Sequence, residues 1–192
     1  MFRGEAAWPV DGGPKLVSTN TPDGCTDAGW GPQDASHPKP DETCQDDDMR
    51  SPLGALAIMM GGPIDWSAER EKDSVSRSVC QSEIKGMDLG CNMLLGLRHP
   101  HDDLGFTAVN TPTPLLCSNN QGGLAWVKSE AIAKWLKHMN AHKAAIRQDV
   151  KAGRIDATHI PGKLNLSDTF VKEMHDTQHC LCLLYTSDAA DE

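Results

Sequence analysis

The feature that most constrains this chain is a short apolar run that ends in a polar cluster. It reads Pro-Leu-Leu-Cys-Ser-Asn-Asn-Gln-Gly over residues 114–122. The run has the length of one buried strand, and a helical pattern follows the glycine. Residue 119 is therefore predicted at the carboxyl end of a strand, where open α/β sheets place ligand-binding groups. The residue at that position is Asn119, a neutral amide.

The hydrophobic pattern along the rest of the chain predicts the order β-β-β-α-β-α-α-β-α, which is a mixed sheet with helices packed on it. Predicted strands are 15–18 with 24–28, a hairpin of 53–60 with 64–66, then 115–117 and 154–160. Predicted helices are 84–95 ended by His99-Pro100, 122–128, 132–139, 144–152 with Gly153 as C′ residue, and a last helix carrying Asp168 and capped by Asn165 or Ser167.

The 192 residues suffice for one domain with a real core. We expect a linker at 1–14, a domain at 15–181 with an acidic loop insertion at 31–50, and a non-native tail at 182–192. The tail, Cys-Leu-Leu-Tyr-Thr-Ser-Asp-Ala-Ala-Asp-Glu, resembles a translated sequencing-library adapter and is expected to make no packed contacts.

The chain shows neither an export signal nor an apolar run near the ~20 residues that cross a membrane. Its seven cysteines are therefore expected to be reduced thiols, and no membrane partner is expected. A net charge of −9 has the wrong sign for a nucleic-acid-binding protein. The basic residues cluster, however, at 128–154, where a solvated helix face and a surface along a phosphate backbone are both open interpretations.

Five sequence blocks, in order, resemble the ribonuclease H domain of copia-type retrotransposons over about residues 15–180. They are Gly-Cys-Thr-Asp-Ala-Gly-Trp, Gly-Gly-Pro-Ile-Asp-Trp-Ser, Asn-Asn-Gln-Gly-Gly-Leu-Ala-Trp, Leu-Lys-His-Met-Asn and His-Ile-Pro-Gly-Lys-Leu-Asn-Leu-Ser-Asp-Thr-Phe-Val-Lys-Glu. The resemblance implies an α/β ribonuclease H-like fold, a five-stranded mixed sheet flanked by helices. It also implies cleavage of RNA in an RNA–DNA hybrid, next to the reverse transcriptase domain of the same polyprotein, in a cytoplasmic retroelement particle or the nucleus.

The resemblance also implies a metal site. Asp27 matches the first ligand, Glu83 the second and Asp168 the fourth, while Asn119 stands where the family has its third Asp. Such carboxylates hold two Mg²⁺ ions, with Mn²⁺ as the alternative, that activate water and stabilise the leaving oxygen. Losing one carboxylate predicts an impaired hydrolase.

Contacts with the hybrid are expected from four further residues: Gln121, Lys137, Arg147 and Lys163.

Two other functions remain open. One is a catalytically dead remnant of such a domain that binds nucleic acid or is merely structural. The other is a small metal-binding protein, because His175 and His179 have helical spacing and precede Cys180 and Cys182, which are zinc-ligand types.

Overall fold

A computed structural model describes residues 21–29, 50–60, 62–72, 75–105, 112–129 and 140–172 of the chain. These residues form one five-stranded sheet in the order β3-β2-β1-β4-β5. The strands are β1 Asp23–Ala28, β2 Pro52–Met59, β3 Gly62–Arg70, β4 Leu115–Ser118 and β5 Asp156–His159. The helices are α1 Val79–Asp103, α2 Gln121–Lys128 and α3 Asn140–Lys151, followed by 3-10 helices at Gly162–Leu164 and Leu166–Phe170.

The sheet is mixed, because β1, β2 and β3 pair antiparallel while β1, β4 and β5 pair parallel. The predicted fold class, a mixed five-stranded sheet flanked by helices, is confirmed. The predicted hairpin is also confirmed, and Met60 takes a positive φ of 55° in its turn. None of the described helices is long and apolar enough to cross a bilayer.

Helix α1 lies against β1 at very short range. Ser78 caps the helix, since its side chain accepts a hydrogen bond from the Gln81 backbone N–H. A Cβ added at Gly90 would lie 2.1 Å from the Thr26 Cγ2 atom, so only glycine permits this approach. The main core fills the space around this contact, and its fully buried side chains are Ala57, Ile84, Met87, Cys91, Leu94, Leu116, Leu124, Val127, Ile146, Ile155 and Ala157.

The prediction that His99-Pro100 ends α1 was wrong, because the helix continues to Asp103 with Pro100 inside it. A proline removes one backbone hydrogen bond, here the bond to the carbonyl of Gly96. Both Gly96 and Pro100 are exposed, so water can satisfy that carbonyl, and the loss falls near the helix end where disruption is tolerated.

The predicted end of α3 is confirmed. Gly153 has φ of 66°, its N–H donates to the Val150 carbonyl, and the Arg154 N–H donates to the Asp149 carbonyl. This is the paired hydrogen-bond pattern of a left-handed C-terminal cap.

The predicted last helix is instead a 3-10 helix as far as Phe170, and Asn165 caps it as expected by accepting from the Ser167 N–H.

Several expectations lie outside the described residues: the linker at 1–14, the strand at 15–18, positions 31–49 of the acidic loop, the helix at 132–139, the tail at 182–192 and the His175/His179/Cys180/Cys182 cluster. In the described part of the chain, Cys25, Cys80, Cys91 and Cys117 are free thiols. Burial raises the pKa of the Cys91 thiol, as expected for an inert core cysteine.

Candidate active site

The site begins where two parallel strands end side by side. Thr26 of β1 pairs with Ser118 of β4, the last residue of that strand, so Asp27 and Asn119 are the next residues after this pair at the same edge. Side chains alternate along a strand, and Thr26 faces α1. Asp27 of β1 therefore lies on the opposite face of the sheet.

The segment that carries Asp168 packs on that opposite face. The Asn165 amide donates to the buried Thr26 carbonyl at 3.0 Å, and its oxygen accepts from the Ser167 hydroxyl at 2.7 Å. Gly54, which pairs with Asp27 across β1 and β2, lies under this segment. A Cβ at Gly54 would lie 2.9 Å from the Phe170 Cβ and 3.0 Å from the Ser167 carbonyl oxygen. The missing side chain lets the segment reach the sheet.

Asp27 and Asp168 meet at a shared cation. The Lys172 ammonium Nζ lies 2.8 Å from Asp27 Oδ2 and 3.2 Å from Asp168 Oδ1. The Asp27 side chain is fully buried and that of Lys172 is 39% exposed. Within the described residues, no backbone N–H, amide or hydroxyl donates to either oxygen of Asp27 or to Asp168 Oδ1, so the Lys172 ammonium is the group that compensates them. Buried carboxylate oxygens of this kind are costly unless a cation or donor compensates them.

Glu83 approaches the two aspartates from α1. It is buried, and the side-chain amide of Asn120 donates a hydrogen bond to it. The Asn120 oxygen in turn accepts from the Gly123 N–H at 2.7 Å and so caps α2. Burial, followed by the negative charge of Asp27, raises the pKa of Glu83 to about 8, although Lys172 and Asn120 lower it.

Asp168 shares this crowding of negative charge. Burial, and then the neighbouring Asp27 carboxylate, raise the pKa of Asp168 to about 6. The Lys172 ammonium acts in the opposite direction on the same group. For Lys172, burial lowers the pKa but the two aspartates raise it more, and the net shift is upward. In the described part of the chain, the carboxyl groups of Asp27, Glu83 and Asp168 thus share the single cation Lys172.

The donor set fits magnesium in its chemistry. In the described part of the chain, no three His, Cys, Asp or Glu side chains stand close enough to hold a metal ion as a ready-made group. Magnesium is commonly held by only one or two carboxylates, with water and substrate phosphate completing its shell. The buried carboxylate oxygens of Asp27 and Asp168, with Glu83 nearby, supply that kind of ligand.

The four residues expected to contact the hybrid lie in different settings. Gln121 is exposed at the start of α2, and Lys163 is exposed. Lys163 follows Gly162, which lies close to Asn119, because a Cβ added at Gly162 would be 3.6 Å from the Asn119 amide nitrogen. Arg147 donates to the carbonyls of Val127 and Ser129, at the end of α2. Lys137 lies outside the described residues. Their contact with nucleic acid stays a prediction.

The basic cluster at 128–154 is largely engaged within the chain where the structure describes it. Lys143 is buried with its ammonium 4.4 Å from the centroid of the Trp126 ring. Arg154 forms an ion pair with Asp149, which is itself buried. Part of the cluster therefore makes contacts within the chain, while Lys128 and Lys151 are exposed, and a surface for phosphate stays a prediction.

Sequence reasoning missed two residues that build the site, Lys172 and Asn120, and predicted Asn165 only as a helix cap. Lys172 follows Asp168 by four residues, a spacing that brings opposite charges together on one helical turn. Asn120 precedes α2 as Asn165 precedes the last 3-10 helix, so it was recognisable as a cap in the same way. No sequence pattern indicates that their second hydrogen bonds reach Glu83 and Thr26.

No protein-family model and no curated protein matches this sequence. Its structure, however, is similar to solved ribonuclease H folds. One is LC11-RNase H1, isolated from compost by a metagenomic approach, with a TM-score of 0.54 and 13% identity over 79% of this chain and 93% of that chain. Another is the foamy viral protease-reverse transcriptase, solved in complex with an RNA/DNA hybrid, with a TM-score of 0.51 and 14% identity over 84% of this chain and 21% of that chain. The chain has the ribonuclease H-like fold.

Proposed function

We propose that this chain is the ribonuclease H domain of a copia-type retroelement polyprotein, and that it hydrolyses RNA in RNA–DNA hybrids weakly. The observation that carries the proposal is the pair Asp27 and Asp168, two buried carboxylates that converge at the carboxyl end of β1 on a single partly exposed ammonium, that of Lys172. An excess of buried negative charge over its cation is typical of a site that takes up a further cation. The ribonuclease H-like fold supports the same reaction class, by analogy of fold.

Three carboxylates would hold the catalytic ions: Asp27, Glu83 and Asp168. Bound Mg²⁺, or Mn²⁺ in its place, supplies an activated water and stabilises the leaving 3′ oxygen. Asn120 keeps the Glu83 carboxylate in position, and Asn165 keeps the Asp168 segment against β1. Gln121 and Lys163, exposed next to the strand ends, would contact the hybrid backbone.

Asn119 is the reason to expect weak activity. Its carbonyl oxygen can still bind a metal ion, but it lacks the negative charge that an aspartate brings to the same position. Loss of a single electrostatic element of a catalytic site commonly lowers the rate ~10²–10³-fold. The second candidate function is a catalytically dead remnant that retains the fold. The missing negative charge at Asn119 favours this function as well.

The proposed setting follows from the resemblance of the sequence blocks. The domain would act beside the reverse transcriptase domain of its own polyprotein, on the hybrid made during reverse transcription. The expected location is the cytoplasmic retroelement particle, with the nucleus as the alternative.

The test is magnesium-dependent cleavage of an end-labelled RNA–DNA hybrid by four proteins: native, Asn119→Asp, Asp27→Asn and the double variant. We expect Asn119→Asp to cleave ~10²–10³ times faster than the native chain. Both proteins carrying Asp27→Asn should be inactive, which excludes a contaminating nuclease.

If Asn119→Asp stays as inactive as Asp27→Asn while remaining folded, the remnant is the correct function. A native chain that already matches Asn119→Asp in rate would show that residue 119 is not a metal ligand.

A further inference from the structure

Lys172 occupies the point to which the site's two aspartates converge. Its ammonium lies within 3.2 Å of both carboxylates, and the Asp27 side chain that it meets has no exposed surface. No other cation of the described residues forms an ion pair with Asp27 or Asp168. Among the residues that the structure describes, Lys172 is therefore the positive charge at the carboxylate cluster.

We propose that Lys172 is a tethered counter-cation that a divalent ion must displace before the carboxylates can bind it. This inference rests on the proposed metal site. Two negative charges packed together need a compensating positive charge, and in the metal-free chain the Lys172 ammonium compensates the carboxylates of Asp27 and Asp168. A metal ion would bind the same carboxylate oxygens that the ammonium contacts, so the ammonium and the metal compete for them.

The exposure of the two partners makes this exchange physically feasible. Asp27 is held by β1 and fully buried, and Asp168 is held by the segment tied to Thr26 through Asn165. Lys172 is 39% exposed and lies on a long flexible side chain, so its ammonium can move into water while the carboxylates stay in place. Lys172 then lowers the affinity of the carboxylates for a metal ion, and it raises the stability of the metal-free chain. Its removal should therefore change these two quantities in opposite directions.

The opposite signs separate this role from a merely structural one. A lysine that only held the segment together would, when removed, lower stability and also loosen the metal site. A competing lysine would, when removed, lower metal-free stability but tighten metal binding. Lys172→Arg keeps the charge and should change both quantities little.

The experiment compares Lys172→Met with Lys128→Met, a matched control in which an exposed lysine at the end of α2 is neutralised. Each is made in the native and the Asn119→Asp chain. The melting temperature is measured in a chelator, and the affinity for Mn²⁺ added alone is measured by calorimetry and by the electron paramagnetic resonance of free Mn²⁺.

We expect Lys172→Met to melt about 3 °C or more below its control and to bind Mn²⁺ on the order of tenfold more tightly. Adding Asp27→Asn should restore the lost stability, because the buried charge is then gone.

Unchanged or weaker Mn²⁺ binding by Lys172→Met, in a chain where Asn119→Asp binds Mn²⁺, overturns the inference and leaves the proposed function standing. Absence of Mn²⁺ binding in every protein, Asn119→Asp included, overturns the metal site on which both rest. If Lys172→Met does not fold, Lys172→Gln takes its place in the same comparison.

Discussion

The two faces of β1 are held by different physical means. On one face α1 packs by steric fit, with Gly90 pressed against Thr26 and apolar side chains filling the core around it. On the other face, the segment with Asp168 combines a close approach to Gly54 with polar contacts, namely the Asn165 bond to Thr26 and the Lys172 ion pairs. The apolar cluster on this second face is smaller.

The difference matters because each face contributes a carboxylate to the candidate active site. Glu83 lies on the 25-residue helix α1, and Asp168 lies on a short 3-10 helix. Steric packing is insensitive to salt and pH, whereas the Lys172 ion pairs weaken as salt screens them and as the carboxylates become protonated. We therefore expect the α1 face to govern stability and the polar face to govern the site.

The largest expected effect is on the α1 face. Gly90→Ala would put a methyl group 2.1 Å from Thr26 Cγ2 and 2.9 Å from Leu116 Cδ1, so we expect a loss of about 3 kcal/mol or more in the free energy of unfolding. Urea denaturation measures it. Gly96→Ala, in the same helix with nothing within 4 Å, is the control and should gain ~0.5–1 kcal/mol. Equal effects at the two positions would contradict the close packing of α1 on β1.

The second effect is on the polar face. Gly54→Ala would push against the Phe170 Cβ and the Ser167 carbonyl, and we expect it to cost about 2 kcal/mol. Because the displaced segment carries Asp168, Mn²⁺ affinity in the Asn119→Asp chain should fall as well. Gly62→Ala, on β3 with open space around it, is the control. Lower stability with unchanged Mn²⁺ affinity would mean that Asp168 is not a ligand.

The third effect isolates the hydrogen bonds of the polar face. Asn165→Ala removes the buried donor to the Thr26 carbonyl and the cap of the 3-10 helix, at a cost of about 1–3 kcal/mol. Ser167→Ala removes only the bond to the Asn165 oxygen and should cost about 1 kcal/mol. Chemical denaturation of both variants gives the comparison. If Ser167→Ala were the more destabilising, the bond between Asn165 and Thr26 would not be the main anchor.

The smallest effect concerns pH, at the other end of the same face of β1. Burial raises the pKa of Asp23 to about 6, although the Leu115 N–H bond lowers it. A raised carboxyl pKa in the folded state means that stability falls as pH rises from about 4 to 6, because the folded state resists ionisation. Asp23→Asn keeps an oxygen acceptor for Leu115 and removes the charge. The native chain should therefore lose about 1–2 kcal/mol relative to Asp23→Asn over this range.

The comparison with Asp23→Asn is necessary because the raised pKa of Asp168 falls in the same range. Measuring the free energy of unfolding of both proteins at pH 4, 5, 6 and 7 separates the two groups. A constant difference across these values would show that Asp23 ionises normally in the folded chain.

Sequence patterns predicted the sheet and most helix positions because these depend on local periodicity. The alternation in the hairpin, the helical spacing in α1 and Gly153 after α3 each follow from backbone geometry within a few residues. The end of α1 was missed because the cost of Pro100 depends on whether water reaches the Gly96 carbonyl, which no local pattern reports. The last helix was expected to be regular, and its 3-10 form was equally beyond local reasoning.

The sequence by itself determined which residue types stand at the strand ends and before the helices, including the neutral Asn119 where the resembling family has an aspartate. Only the tertiary structure decided what those residues meet. Asp27 and Lys172 are 145 positions apart, and Thr26 and Asn165 are 139 apart. Contacts between residues so distant in sequence exist only after β1 has been packed between a helix and the 3-10 segment. Charge compensation and buried hydrogen bonds act over a few ångströms in space, so their partners are fixed by the fold and not by the spacing of residues along the chain.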